Sequence, residues 1–186
     1  MDDAYKVSAV DVQQEVNRIP TAEILLLERK HDSEKFPISN SGFFDPGQCI
    51  EIKLGYADGG GAEQTVFVGI VLRHHIKGGS NGTWLTIELK DATHKLTTTR
   101  KSTVYTNKTD TQIIEEIVKN ARAEEQKNGV VPPLLDAPKV APAINLYSHK
   151  ELPRHYCSDW DFILSRADAN GLLAIVSSGE LSIAEM

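Results

Sequence analysis

Residues 48–56 read QCIEIKLGY, and the order of these nine side chains decides which fold the chain can adopt. Ile50, Ile52, Leu54 and Tyr56 fall on one parity, Cys49, Glu51 and Lys53 on the other. Side chains of a strand alternate between faces, so this is a half-buried strand with its apolar row inward. Working outward, the same period returns in WLTIELK at 84–90, with Leu85, Ile87 and Leu89 inward and Thr86, Glu88 and Lys90 outward. AEILLLER at 22–29 and YKVSAVDVQQEV at 5–16 are further strands. In the second of these Val7 and Ala9 lie on one parity, Val10 and Val12 on the other, a slip that predicts a bulge or a change of exposed face.

Turn residues separate these runs: Asp45-Pro46-Gly47, Asp58-Gly59-Gly60-Gly61 and Gly78-Gly79-Ser80-Asn81-Gly82. A glycine-rich loop cradles phosphate when a strand precedes it and a helix follows. Here β-type patterns lie on both sides, so these are read as hairpin turns. One strand differs. TVFVGIVLRHHI at 65–76 is apolar without interruption from Val66 to Leu72, so both faces are expected to seek cover, from the following helical segment or from another subunit. Gly69 in its middle predicts a close approach by backbone or a bulky side chain.

The period changes after Thr106. Thr109 and Gln112 have the spacing of a capping box, and Ile113, Ile114, Ile117, Val118 and Ala121 follow as a helical stripe closing on Gly129. Residues 130–142 hold four prolines and are expected to be an ordered loop or linker. A second helix is capped by Ser158, striped by Trp160, Ile163, Leu164 and Ala167, and stopped at Asn170-Gly171. LLAIV and ELSI then form a hairpin about Ser178-Gly179. The expected class is mainly β with an α+β part: an antiparallel β-barrel over 1–106, then a smaller α/β segment over 107–186 with two helices and a C-terminal hairpin.

Composition excludes several functions. The content is 40% hydrophobic and 25% charged, ordinary for a folded domain, and no apolar run approaches the roughly 20 residues of a membrane span. A net charge of -6 argues against nucleic acid; Arg29-Lys30 and Arg100-Lys101 are the notable basic pairs, each diluted by its neighbours. The start, MDDAYKVSAV, is acidic where a secretory leader is basic, so no signal peptide is expected. Two cysteines, Cys49 and Cys157, are too few for a disulfide framework or a zinc cage.

The densest chemistry lies in YCSDWDFIL at 156–164, with His149 and His155 just upstream. Asp159 and Asp161 are two apart on a helix, point in different directions and cannot share one proton or one metal. Acidic residues at a helix start are stabilised by its dipole, and Trp160 reads as a core anchor. His74 and His75 are strand neighbours on opposite faces, and His31, His94, His149 and His155 have no metal-ligand spacing. Cys157 beside a helix start, with His155 two residues away, keeps a reactive thiol open, without a nucleophile motif around it. The expectation is no catalytic, metal or cofactor-binding residue.

Six stretches occur in an order that carries a resemblance: VNRIPTAEILLLE, FFDPGQCIEIKLGY, VFVGIVLRHHI, LTIELKDATHKLTTTRKS, TDTQIIEEIV and SDWDFILSRADANGLL. Together they resemble the N-terminal hub region of the VgrG family of type VI secretion systems, which is similar to the hub protein of contractile phage baseplates. The most specific pieces are Phe44-Asp45-Pro46-Gly47 with Ile50-Glu51-Ile52 and Gly55-Tyr56, and Ser158-Asp159-Trp160-Asp161-Phe162. The resemblance implies a structural scaffold: a first barrel, an α/β segment and a second barrel, with three full-length chains forming a ring against a hexameric tube and other baseplate components. It also implies assembly in the cytoplasm and export by the machine itself, without a cofactor. Past Met186 no sequence remains for a second barrel, an OB-fold or a spike, so a fragment or a shortened relative is expected. A prophage tail hub is the nearest alternative. A hydrolase using Cys157 with His155 or His149 is the alternative from another class.

Overall fold

The structure, a computed structural model, describes residues 6–28, 36, 38–56, 62–79, 82–128, 134–140 and 147–185. It is mainly β with a small α/β part. The chain divides into two compact units, Met1–Gln13 with Pro20–Asp91, and Gln14–Ile19 with Ala92–Met186.

The first unit is a curled antiparallel half-barrel. Its strands are β1 (Lys6–Gln13), β2 (Thr21–Glu28), β3 (Cys49–Leu54), β4 (Gln64–Gly79) and β5 (Gly82–Lys90), in the order β1-β2-β5-β4-β3. The inward parity is the one read from sequence. Ala22, Ile24 and Leu26 of β2 lie beside Leu89, Ile87 and Leu85 of β5, and all six are buried. Ile50 and Ile52 join them from β3, Phe67 and Val71 from β4, and Ile38 and Phe44 from the segment before β3.

Local chemistry fixes this register. The Gln48 amide donates to the Asp45 carbonyl at 3.1 Å, and Gly47, with φ at 96°, supplies the left-handed corner of a type II turn. The amide of Gly47 and the carbonyl of Gln48 both bond Val71, so the turn is stitched to β4 before β3 begins. Ile50 then lies opposite Gly69. A Cβ at Gly69 would sit 2.5 Å from the Lys90 carbonyl oxygen and from the Phe67 ring, so the close approach expected there is real. The bulge expected in β1 is the register shift between Val7 and Ala9.

Three side chains depart from the alternation. Leu54 and Tyr56 are 57% and 83% exposed, not inward. β3 ends at Leu54, so Tyr56 lies beyond the strand, and the pairing loosens just before that end, where the register with β4 skips Val66. Thr86, expected outward, is only 8% exposed. On β4, Phe67 and Val71 are buried and Val66, Val68, Ile70 and Leu72 half-buried, so its second face is covered in part. The Asp58–Gly61 turn lies outside the described residues.

The second unit pairs two helices with two small sheets. β6 (Arg100–Thr109) and β8 (Ser148–Ser158) form an antiparallel ribbon. By alternation β6 reads with the strands before it; by packing it belongs here, because β8 is its partner. Helix α1 (Asp110–Lys127) opens with the full capping box on Thr109 and Gln112. It buries Ile113, Ile114, Ile117, Val118 and Ala121. Helix α2 (Asp159–Ala169) buries Trp160, Phe162, Ile163 and Ala167. Its stop is Gly171, with φ at 69°; Asn170 stays outside the left-handed region. β7 (Lys139–Val140), β10 (Glu180–Ala184) and β9 (Leu173–Ser177) make the third sheet in the order β7-β10-β9. β7 is a short strand inside the proline-rich stretch read as loop, held by parallel pairing with Ser182 and Ile183. Ser178 and Gly179, with φ at 49° and 85°, form the expected hairpin turn. Asn17, at φ 60°, completes this unit: its amide donates to the Ala174 carbonyl and its side-chain oxygen accepts from the Ala174 amide, at 2.7 and 2.8 Å.

Candidate functional site

Helix α2 carries the polar residues singled out from sequence, and its first turn explains them. The Ser158 hydroxyl accepts from the Asp161 amide at 3.0 Å and donates to the Asp161 carboxylate at 2.7 Å, an N-cap with an added side-chain clasp. Asp161 is exposed. Asp159 points elsewhere and is buried, accepting from the Arg154 guanidinium at 2.5 Å and the Lys101 ammonium at 3.2 Å. The two carboxylates share no proton, as their spacing predicts. Trp160 is 6% exposed and belongs to the core.

Arg154 is the residue that organises this end. It sits on β8 opposite Thr103, and its side chain is 1% exposed. One terminal nitrogen meets Asp159, the other donates to the Cys157 carbonyl at 2.7 Å, and the guanidinium lies 5.4 Å from the centre of the Phe162 ring. Burial alone would lower its pKa, but hydrogen bonds to Asp159 and Tyr105 outweigh that and raise it. The cation is permanent.

A second centre lies at the other end of α2. Asp110, the first residue of α1, is 4% exposed. It accepts from two guanidinium nitrogens of Arg166 at 2.7 and 3.0 Å, from the Asn170 amide at 3.0 Å, and has His149 Nε2 at 3.2 Å. Burial pushes the Asp110 carboxyl up, yet the bonds from Arg166, Asn170 and His149 together hold it below its ordinary value. A third carboxylate, Glu125 near the end of α1, accepts from the Leu135 amide at 3.0 Å and from Lys95 at 2.6 Å.

Asp110, Glu125 and Asp159 are thus each met by a cation, an arrangement that fastens elements together. Cys157 is half-buried and packs against the core, while His155 is exposed. His149 is committed to Asp110 rather than to a thiol. Among the described residues no group of three or more His, Cys, Asp or Glu is placed to hold a metal ion, and no helix is long and apolar enough to cross a membrane. Sequence reasoning missed Arg154 and Asp110. Arg154 shares the parity of the half-buried Leu152 two residues earlier, which is the one signal that could have found it.

Comparison with solved structures defines the class. The 43 kDa tail protein of prophage MuSo2 from Shewanella oneidensis matches with a TM-score of 0.65 and 14% identity over 97% of this chain and 50% of its own. An E. coli component of the type VI secretion system, described as structurally similar to the T4 bacteriophage tail proteins gp27 and gp5, matches at 0.62 and 11% over 98% of this chain and 47% of its own. A chain of the Francisella PdpA-VgrG complex matches at 0.52 and 12%, over 98% of this chain and 25% of its own. The fold is thus shared with phage tail proteins and with VgrG-like hub regions, and the chain spans about half the length of the first two. No curated protein matches the sequence. The chain belongs to the family described as the Alg8 N-terminal domain, whose model matches residues 1–186.

Proposed function

We propose that this chain is a structural hub component of a contractile injection machine, the part that links the tube to the puncturing spike. One observation carries the reading: 97–98% of the chain superposes on about half of a prophage tail protein and of a type VI secretion component. In this reading the half-barrel is a barrel domain of the hub and the unit that follows it is the α/β segment. The full-length protein forms a homotrimer, meets a hexameric tube protein and other baseplate components, and leaves the cell with the machine. The domain has no catalytic turnover of its own, a reading supported by Asp159, Asp110 and Glu125 being taken up by Arg154, Arg166 and Lys95.

The test is purification of sheath and tube particles from a strain carrying a tagged copy. The chain should be found at one tube end, and its deletion should abolish injection. Particles that assemble and inject without it would overturn the reading. A prophage tail hub is the second reading, favoured by the MuSo2 match. Tube, sheath and ATPase genes beside this one would decide for secretion, capsid and tail genes for a phage.

A further inference from the structure

A non-glycine residue with positive φ lies where the β6–β8 ribbon meets α2. Tyr156 has φ at 37°, in the left-handed region, where a bulky side chain is an outlier. The pairing shows why. Lys101 lies opposite Cys157 and Thr103 opposite Arg154, so His155 and Tyr156 together face Ser102 alone. This is a bulge, and bulges re-aim side chains. Two contacts lock it: Arg154 bonds the Cys157 carbonyl across the two bulged residues, and the Tyr156 amide donates to the Ser102 hydroxyl at 3.0 Å.

The side chain held this way faces solvent. Tyr156 is 65% exposed, with the Arg100 guanidinium 5.7 Å from its ring centre. Val104, 57% exposed, and its cross-strand neighbour Pro153 continue the apolar surface. Among the described residues Arg100 meets no carboxylate, whereas neighbouring Lys101 is neutralised by Asp159. Strain fixed by a buried ion pair, with an exposed aromatic as its product, is characteristic of sites that act on something outside the chain. Tyrosine and arginine are also the side chains enriched where binding energy concentrates.

We propose that Tyr156 with Arg100 is a docking knob that seats in an apolar recess rimmed by carboxylates on another protein, in the hub reading a protein of the same machine. Charge decides the partner: one uncompensated cation beside a ring matches a carboxylate-rimmed pocket, while phosphate surfaces call for several clustered cations.

Site-specific photocrosslinking in the full chain, inside the producing bacterium, tests this. With p-benzoylphenylalanine replacing Tyr156, one adduct to a different protein is expected, on a segment bearing Asp or Glu, and none from the same probe at Thr106. Arg100→Glu should cut the adduct about tenfold or more, and a lysine in place of the partner's nearest carboxylate should restore it. Tyr156→Gly, free to adopt the left-handed conformation, should keep a Tm no lower than the parent while losing about tenfold of the identified partner on co-purification. No adduct, an adduct only to a second copy, to lipid or to nucleic acid, indifference to Arg100→Glu, or a lowered Tm would overturn the knob. An adduct formed while the chain is absent from sheath particles would instead defeat the hub reading and leave the knob standing.

Discussion

The half-barrel and the α/β unit both have apolar cores, but the second adds buried charge to its own. The first packs its inner face with aliphatic and aromatic side chains in cross-strand register, Leu26 against Leu85 and Ile24 against Ile87, with a turn and a glycine setting the register. The second buries Asp110, Glu125, Arg154 and Asp159 within its core and places a partner on each. An apolar core loses stability in proportion to the volume removed. A core with buried ion pairs loses it abruptly when one partner goes, because the other charge is left behind in a poor solvent. The first unit should respond to size, the second to size and also to charge.

The sharpest break of that contrast is Arg154→Ala. It leaves the Asp159 carboxylate buried with only Lys101 at 3.2 Å and removes the bond to the Cys157 carbonyl. The expected loss is about 3–5 kcal/mol, read from the urea midpoint. A loss under about 1 kcal/mol, the level of an exposed pair, would show that the second unit does not depend on this ion pair. In the half-barrel, Leu85→Ala should cost about 2–5 kcal/mol through the cavity it leaves, and Leu85→Met less than about 1.5. Equal losses for both substitutions would mean that this core does not respond to volume.

Acid sharpens the comparison. The Asp110 carboxyl is held below its ordinary value in the folded state, so its contribution is fully present above the unfolded value of 3.8 and is lost as pH falls through the lower folded one. Asp110→Asn should cost about 1.5–3 kcal/mol at neutral pH, the scale of hydrogen bonds to a charged group. The gap between variant and parent should then narrow as pH falls below about 4. A gap independent of pH would separate Asp110 from the acid sensitivity of the fold.

The same contrast decides what could be read in advance. Strand alternation, the Thr109 and Ser158 caps, the helical stripes and the Ser178-Gly179 turn are local patterns, and the structure keeps them. Partner choice is not local. Arg166 reaches Asp110 across 56 residues and Lys101 reaches Asp159 across 58, and no periodicity encodes which buried charge another will meet. Asp159 was legible as a helix-start acid but not as a buried one, since its cation arrives from the neighbouring ribbon. Leu54 and Tyr56 failed for a related reason: alternation does not encode where a strand stops, and β3 stops at Leu54.

The smallest effect belongs to the cap. The Ser158 hydroxyl satisfies one of the orphan amides of the first turn of α2 and clasps the Asp161 side chain. Removing it in Ser158→Ala should cost about 0.5–2 kcal/mol, less than Arg154→Ala, although the two residues lie within a few positions of each other. The ordering follows from what each change leaves behind. Without the hydroxyl, the exposed Asp161 keeps its access to water, and the amide it shared is the only group left wanting a partner. Without the guanidinium, a buried carboxylate loses its nearest counter-charge. Ser158→Thr, which keeps the hydroxyl, should recover most of the loss, because threonine also caps. If Ser158→Ala instead matched Arg154→Ala in urea titration, the first turn of α2, rather than the ion pair beneath it, would be the element on which the second unit depends.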